Sequence, residues 1–298
     1  MKEDSSWNDI KDSLNSVMPE NTKLEDSQQN DVMNFVNAFG KLKFDDNKIK
    51  LSKNLLESAK DNLSCYNNLF ANKRYASAIF NLVLANEKIS KAYGLSFFGV
   101  EEKELFKISH DSPITFKILM EKEPYKSYLE ILKVSQPNVI NKNPKEIEDL
   151  INDKKKVEEI LKSNEDEINV LIDAYEKVDN VFNEETQNKI KEVVNNVFSL
   201  FPQQHQSLKG NLDFSTLPKL VGSFTKLACV SFITFPHYFT SNYPDSDKIN
   251  YLQYNEELGI VKTSSRIYAI LISALENLES YINKLNITED KTKKEQEQ

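Results

Sequence analysis

The stretch Tyr75 to Phe97, YASAIFNLVLANEKISKAYGLSF, decides the fold class, because Ile79, Leu82, Ile89 and Tyr93 recur at helical spacing. Asn86 sits within that apolar stripe, and Glu87 lies on the adjoining row of Ala76, Phe80 and Val83. A polar group on an apolar face costs roughly 1–3 kcal/mol unless it is hydrogen-bonded. Asn86 and Glu87 therefore need partners, and the nearest downstream candidates are His110 and Asp111 in Ile108-Ser109-His110-Asp111-Ser112-Pro113. The pattern predicts a core helix with a polar centre.

The flanking segments read the same way. Residues 47–70 place Leu51, Leu55, Ala59, Leu63 and Tyr66 on one stripe, with a break at Asn72-Lys73-Arg74. Gly94 and Gly99 loosen the end of the central helix. A further helix is predicted over Pro113 to Glu121, capped by Asp111-Ser112 with proline in its first turn. Two short helices are expected in residues 1–45. Leu217 to Phe235 is apolar but carries Lys219 and Lys226. A membrane span needs roughly 20 largely uncharged residues, so a buried helix ending at Pro236 is expected instead. A long helix follows over Thr263 to Leu285, with Ile267, Leu271, Ala274, Leu278, Tyr281 or Ile282, and Leu285 inward. The charged residues 288–298 are expected to fray. No strand-period alternation of any length appears, which predicts an all-α protein.

Between Glu123 and Phe201 the chain turns charged. Leu150, Val157, Leu161, Ile168, Leu171, Tyr175, Val178 and Phe182 fall near a three-four spacing. That describes a helical hairpin or a short coiled-coil seam, or else a helix broken near Ser163-Asn164. A second helix is predicted over Glu185 to Leu200.

Composition limits function. The net charge of −8 argues against a general affinity for nucleic acid. Arg74 and Arg266 are the two arginines, so planar forks for phosphate are scarce. Cys65 and Cys229 lack metal spacing and are expected to be buried, reduced thiols. His205 and His237 have no companions at ligand spacing, and neither a metal site nor a bound cofactor is expected. The charged opening MKEDSSWNDIKDS does not read as a signal peptide, which with the thiols predicts a cytoplasmic chain with no membrane association.

Three landmarks stand in one order: Ala76-Ser77-Ala78-Ile79-Phe80-Asn81, then His110-Asp111, then Ser241-Asn242-Tyr243-Pro244-Asp245. In that order they resemble the HEPN domain, a four- to five-helix bundle of prokaryotic toxins and defence systems. Asn86-Glu87-Lys88-Ile89-Ser90-Lys91-Ala92 is also similar to a run in the abortive-infection V branch. The resemblance implies a HEPN-like up-down helical bundle split by a helical-hairpin insertion. Residues 46–121 and 216–287 would form its halves, with 1–45 an extension, 122–215 the insertion and 288–298 a charged tail.

Ribonuclease members of that family place an arginine four to six residues before the histidine. Here Lys103 and Lys107 are the nearest cations to His110, and Asn242 stands where the second motif has arginine. Lysine supplies charge without the bidentate fork. The resemblance thus implies a degenerate or non-catalytic interaction module in a defence or toxin–antitoxin-type context. A homodimer is expected, with a partner protein (nucleotidyltransferase-like or an antitoxin) and RNA or a nucleotide as further candidates. Two rivals stand beside it: a metal-independent ribonuclease with His110 as general base, and a structural helical protein whose acidic hairpin binds a partner.

Each candidate residue has a plainer role open to it. His110 could be a base near neutral pH or a structural partner of Asn86 or Glu87. Asp111 suits a cap. Asn86, Glu87 and Lys88 could line a nucleotide pocket or form a polar network or dimer seam. Arg74 begins a helix. Arg266 could meet the insertion or an anionic ligand. Tyr243 and Asp245 suit a turn or a binding edge.

Overall fold

The computed structural model describes residues 12, 45–107, 112–120, 122, 153–181, 217–242 and 254–296. Among them every regular element is a helix. In chain order these are α1 (Asp46–Ala71), α2 (Tyr75–Ser96), α3 (Glu102–Phe106), α4 (Ser112–Met120), α5 (Lys154–Lys162), α6 (Glu165–Val181), α7 (Leu217–Asn242) and α8 (Gly259–Gln296). The expected helices in 1–45 and over Glu185 to Leu200 lie outside the described residues.

Asp45 caps α1 by accepting from Asn47 N at 2.8 Å. The helix stops because Lys73 takes a left-handed φ of 56°. The amides of Lys73 and Arg74 then donate back to Phe70 O and Leu69 O, each at 2.9 Å. This double closure satisfies orphan carbonyls and reverses the chain in three residues. Cross-contacts then run in opposite senses along the two helices: Ser52 Oγ donates to Ala92 O, Lys88 to Ser58, and Asn62 to Asn81. α1 and α2 are therefore antiparallel.

α7 and α8 complete a four-helix bundle. Tyr93 stacks near Phe224, Asn86 meets Ser231 and Phe80 meets Tyr238, so α7 runs antiparallel to α2. Tyr75 reaches Glu256 and Tyr93 donates to Ala274 O, so α8 runs parallel to α2. The long helices thus alternate up and down in chain order. α2 touches α1, α4, α7 and α8, and from Leu82 onward most of its residues are buried on every side. The core joins Leu56, Leu63, Ile79, Leu82, Ile89, Tyr93, Phe224, Leu227, Leu271 and Leu278, all at most 2% exposed.

Several expectations need correction. α7 does not stop at Pro236 but continues to Asn242. Proline removes one helix hydrogen bond, yet Tyr238 packs on Phe80 (5.4 Å between centroids) and His237 on Tyr254, so tertiary packing holds the last turns. α8 runs to Gln296 where fraying is expected. Cys65 is exposed on α1, whereas Cys229 is buried as expected. The membrane exclusion for the 217–235 segment stands, since no described helix is long and apolar enough to cross a bilayer.

The helix does break at Ser163-Asn164. Asn164 N donates to Glu167 Oε2 at 2.9 Å, and Glu167 N donates to Asn164 Oδ1 at 3.0 Å, a reciprocal capping box that starts α6. Ile168 and Ile172 enter the bundle core at 1% exposure, while Leu171, expected inward, is 42% exposed. α6 packs on α7 and α8, and α5 on α7. The break is seated against the start of α8: a Cβ on Gly259 would lie 2.2 Å from Ser163 O and 2.9 Å from Asn164 Cα. Backbone cannot yield as a side chain does, so Gly259→Ala is expected to destabilise the protein by about 1–3 kcal/mol. Thermal unfolding of that variant checks it, and a wild-type midpoint would mean that the backbone at Ser163 yields freely.

Candidate functional site

Three consecutive residues of α2, Asn86, Glu87 and Lys88, point at three different neighbours. Successive helix positions turn by about 100°, so a polar triplet inside a helix packed on several sides must divide among interfaces.

Asn86 faces α7. It is fully buried, and its Nδ2 donates to Ser231 Oγ at 2.6 Å. Its Oδ1 is buried with no hydrogen-bond partner among the described residues. Turning the amide over would only move the shortfall to the nitrogen, so the side chain is half-satisfied either way.

Glu87 stays on its own helix. Its Oε1 accepts from Lys91 Nζ at 2.6 Å, with the two side chains 8% and 6% exposed. The Lys91 ammonium also lies 5.4 Å from the centroid of the Phe106 ring on α3. A cation over a ring face gains electrostatic attraction where water is excluded.

Lys88 faces α1. Its Nζ donates to Ser58 Oγ at 2.7 Å and to Asn62 Oδ1 at 2.5 Å, with Ser58 O at 3.5 Å. Asn62 Nδ2 in turn donates to Asn81 Oδ1, and Asn81 Nδ2 to Ser77 O, each at 2.8 Å. Half-burial lowers the Lys88 pKa below the ordinary lysine value, outweighing the opposing fields of Glu87 and Asp61.

The remaining candidates lie apart from this triplet. Arg74 is exposed at the N-cap position of α2 and makes no side-chain cap. Arg266 Nη1 donates to Asn169 Oδ1 at 2.9 Å, and its Nη2 pairs with Asp173, so this arginine clamps α6 onto α8. His110, Asp111, Tyr243 and Asp245 lie outside the described residues. Among the described residues Asn86 meets Ser231 and Glu87 meets Lys91.

A second polar centre escapes a sequence reading. His237 is 1% exposed on α7, its Nδ1 2.8 Å from Tyr254 Oη, and that hydroxyl is 2.8 Å from Thr240 Oγ1. Its Nε2 is buried with no hydrogen-bond partner among the described residues. Desolvation drives its pKa down to about 3, keeping the ring neutral. The spacing of His237 and Thr240 on one helix face is visible in the sequence; Tyr254, beyond the following loop, is not. Among the described residues no group of acidic, histidine or cysteine side chains is arranged to hold a metal ion.

Comparison with known families, curated proteins and solved structures finds no match to this chain.

Proposed function

We propose that this chain is a HEPN-like helical interaction module, degenerate as a nuclease, that pairs with a second copy or a partner protein. The defence or toxin–antitoxin-type setting comes from the motif resemblance alone, an argument by analogy. One observation supports the non-catalytic part: among the described residues the contacts of Asn86, Glu87 and Lys88 go to three different places, α7, α2 itself and α1. Cleaving RNA requires fixed positive charge aimed at the developing phosphate dianion. Lys91 is committed to Glu87, Lys88 to Ser58 and Asn62, and Arg266 to Asn169 and Asp173. Redirecting these cations to phosphate would break the contacts that hold the helices together.

The rival with His110 as general base is tested directly. Purified chain is incubated with total RNA without divalent metal, wild type beside His110→Ala. Intact RNA in both is expected. Metal-independent cleavage by the wild type that disappears in the variant would replace the module with a ribonuclease. Sedimentation velocity on the same preparation tests self-pairing, for which a concentration-dependent dimer is expected.

A further inference from the structure

One line of α7 departs from the rule that outward helix positions are polar. From Leu227 to Thr240 every residue is buried except Ala228, Phe232, Phe235 and Phe239. At 100° per residue these four fall within about 60° of one another, so they form a single stripe along the helix. Three of them are phenylalanine, and Phe239 is 43% exposed. On α1 the exposed line is Asn54, Glu57, Asp61 and Ser64, the polar set that a helix facing water carries.

The rings make a continuous surface. Phe235 meets Phe239 edge-on at 6.0 Å between centroids, Phe239 meets Tyr238 at 5.2 Å, and Tyr238 meets Phe80 of α2 at 5.4 Å. Among the described residues, Phe80, Phe232, Phe235 and Phe239 belong neither to the core of the bundle nor to the side chains packed against it. Contiguous aromatic surface of this kind marks a place where something else packs.

Charge decides what fits there. Neither Tyr75 to Asn86 nor Leu227 to Asn242 contains an Asp, Glu, Lys or Arg, in a chain that is 28% charged and carries a net charge of −8. A partner recognised through its charge finds nothing on the stripe to pair with. Two copies of this chain repel one another over most of their surface, and least where both are uncharged. The three-four spacing of Phe232, Phe235 and Phe239 is also that of a seam between helices, and such a stripe can pack on its own image about a two-fold axis.

We infer that the phenylalanine stripe of α7 is the face through which two copies of this chain pair. The inference rests on the self-pairing part of the reading above, to which it gives a surface.

The test is sedimentation velocity of the full chain over a range of concentrations, with thermal unfolding of each protein alongside. The wild type is compared with Phe239→Asp, the milder Phe239→Ala, and Val170→Asp. Val170 is 66% exposed next to Leu171 on α6 and provides the competing apolar surface. The wild type is expected to dimerise, and Phe239→Asp to raise the dimer dissociation constant about tenfold or more. Phe239→Ala should raise it less, and Val170→Asp should leave it unchanged. Added salt is expected to hold or tighten the wild-type dimer, because it screens the like net charges. A dimer that neither Phe239 variant weakens, that Val170→Asp dissolves, or that salt weakens overturns the stripe as its face and leaves self-pairing standing. A wild type that stays monomeric overturns both. In that case a lower unfolding midpoint in Phe239→Asp would put another segment of this chain over the stripe, and an unchanged midpoint would put a different protein there.

Discussion

Replacing Glu87 by alanine is expected to destabilise the fold by about 3–5 kcal/mol, because it leaves the Lys91 ammonium buried without its carboxylate. Both side chains are under 10% exposed, so water cannot take over the lost contact. Replacing the pair together, Glu87→Leu with Lys91→Met, is expected to be neutral or stabilising, since desolvation of two charges offsets much of their attraction. Urea unfolding of the single and double variants decides the matter. A double variant that falls as far as the single one would mean that the pair contributes more than an isolated buried ion pair can.

Acid should weaken the wild type more than a variant in which His237 cannot titrate. The folded-state pKa of His237 is held near 3 against an ordinary value of 6.5. Above pH 6.5 neither the folded nor the unfolded chain binds a proton there. Below it the unfolded chain accepts a proton that the folded chain refuses, so stability is lost as pH falls toward the folded value. The slope approaches 1.4 kcal/mol per pH unit, giving about 2–3 kcal/mol by pH 4.5 and about 4 kcal/mol by pH 3, where the folded chain begins to take the proton too. His237→Asn is expected to be less stable than wild type at pH 7.5 but to lose that much less between pH 7.5 and 4.5. Parallel acid losses in the two proteins would show that His237 does not carry the effect.

Local rules brought the sequence a long way. The described residues of the α2 and α8 stripes are buried as expected because each helix is long and periodic enough for one apolar face to dominate. On α1, Ala59, Leu63 and Tyr66 are buried, but Leu51 and Leu55 yield the inner positions to Ile49, Ser52 and Leu56. The pair Glu87 and Lys91 has the i, i+4 spacing of a helix ion pair, but a reading that looks downstream from Glu87 for its partner goes to His110 and Asp111. The partner of Asn86 was not readable: Ser231 lies 145 residues on, and although its apolar neighbours mark it as buried, no local rule pairs it with Asn86. Pro236 misled for a related reason. A helix stop is a local rule, and here contacts made by Tyr238 and His237 across the bundle override it. Leu171 is exposed and Ile172 buried because both positions fit helical spacing from Ile168, and the packing of α6 on α7 and α8, which a one-helix count cannot register, takes the second.

The placement of α2 has a consequence for how the chain is made. Its α1 face closes within a three-residue turn, but the faces meeting Ser231 and Ala274 wait for helices 145 and 181 residues further on. At a ribosomal pace of about 5–20 residues per second, the nascent chain carries these apolar faces uncovered for roughly ten to thirty seconds. During that interval Ile79, Leu82, Ile89 and Tyr93 lack the α7 and α8 faces that complete their burial. The newborn first half thus exposes apolar surface that the folded bundle covers.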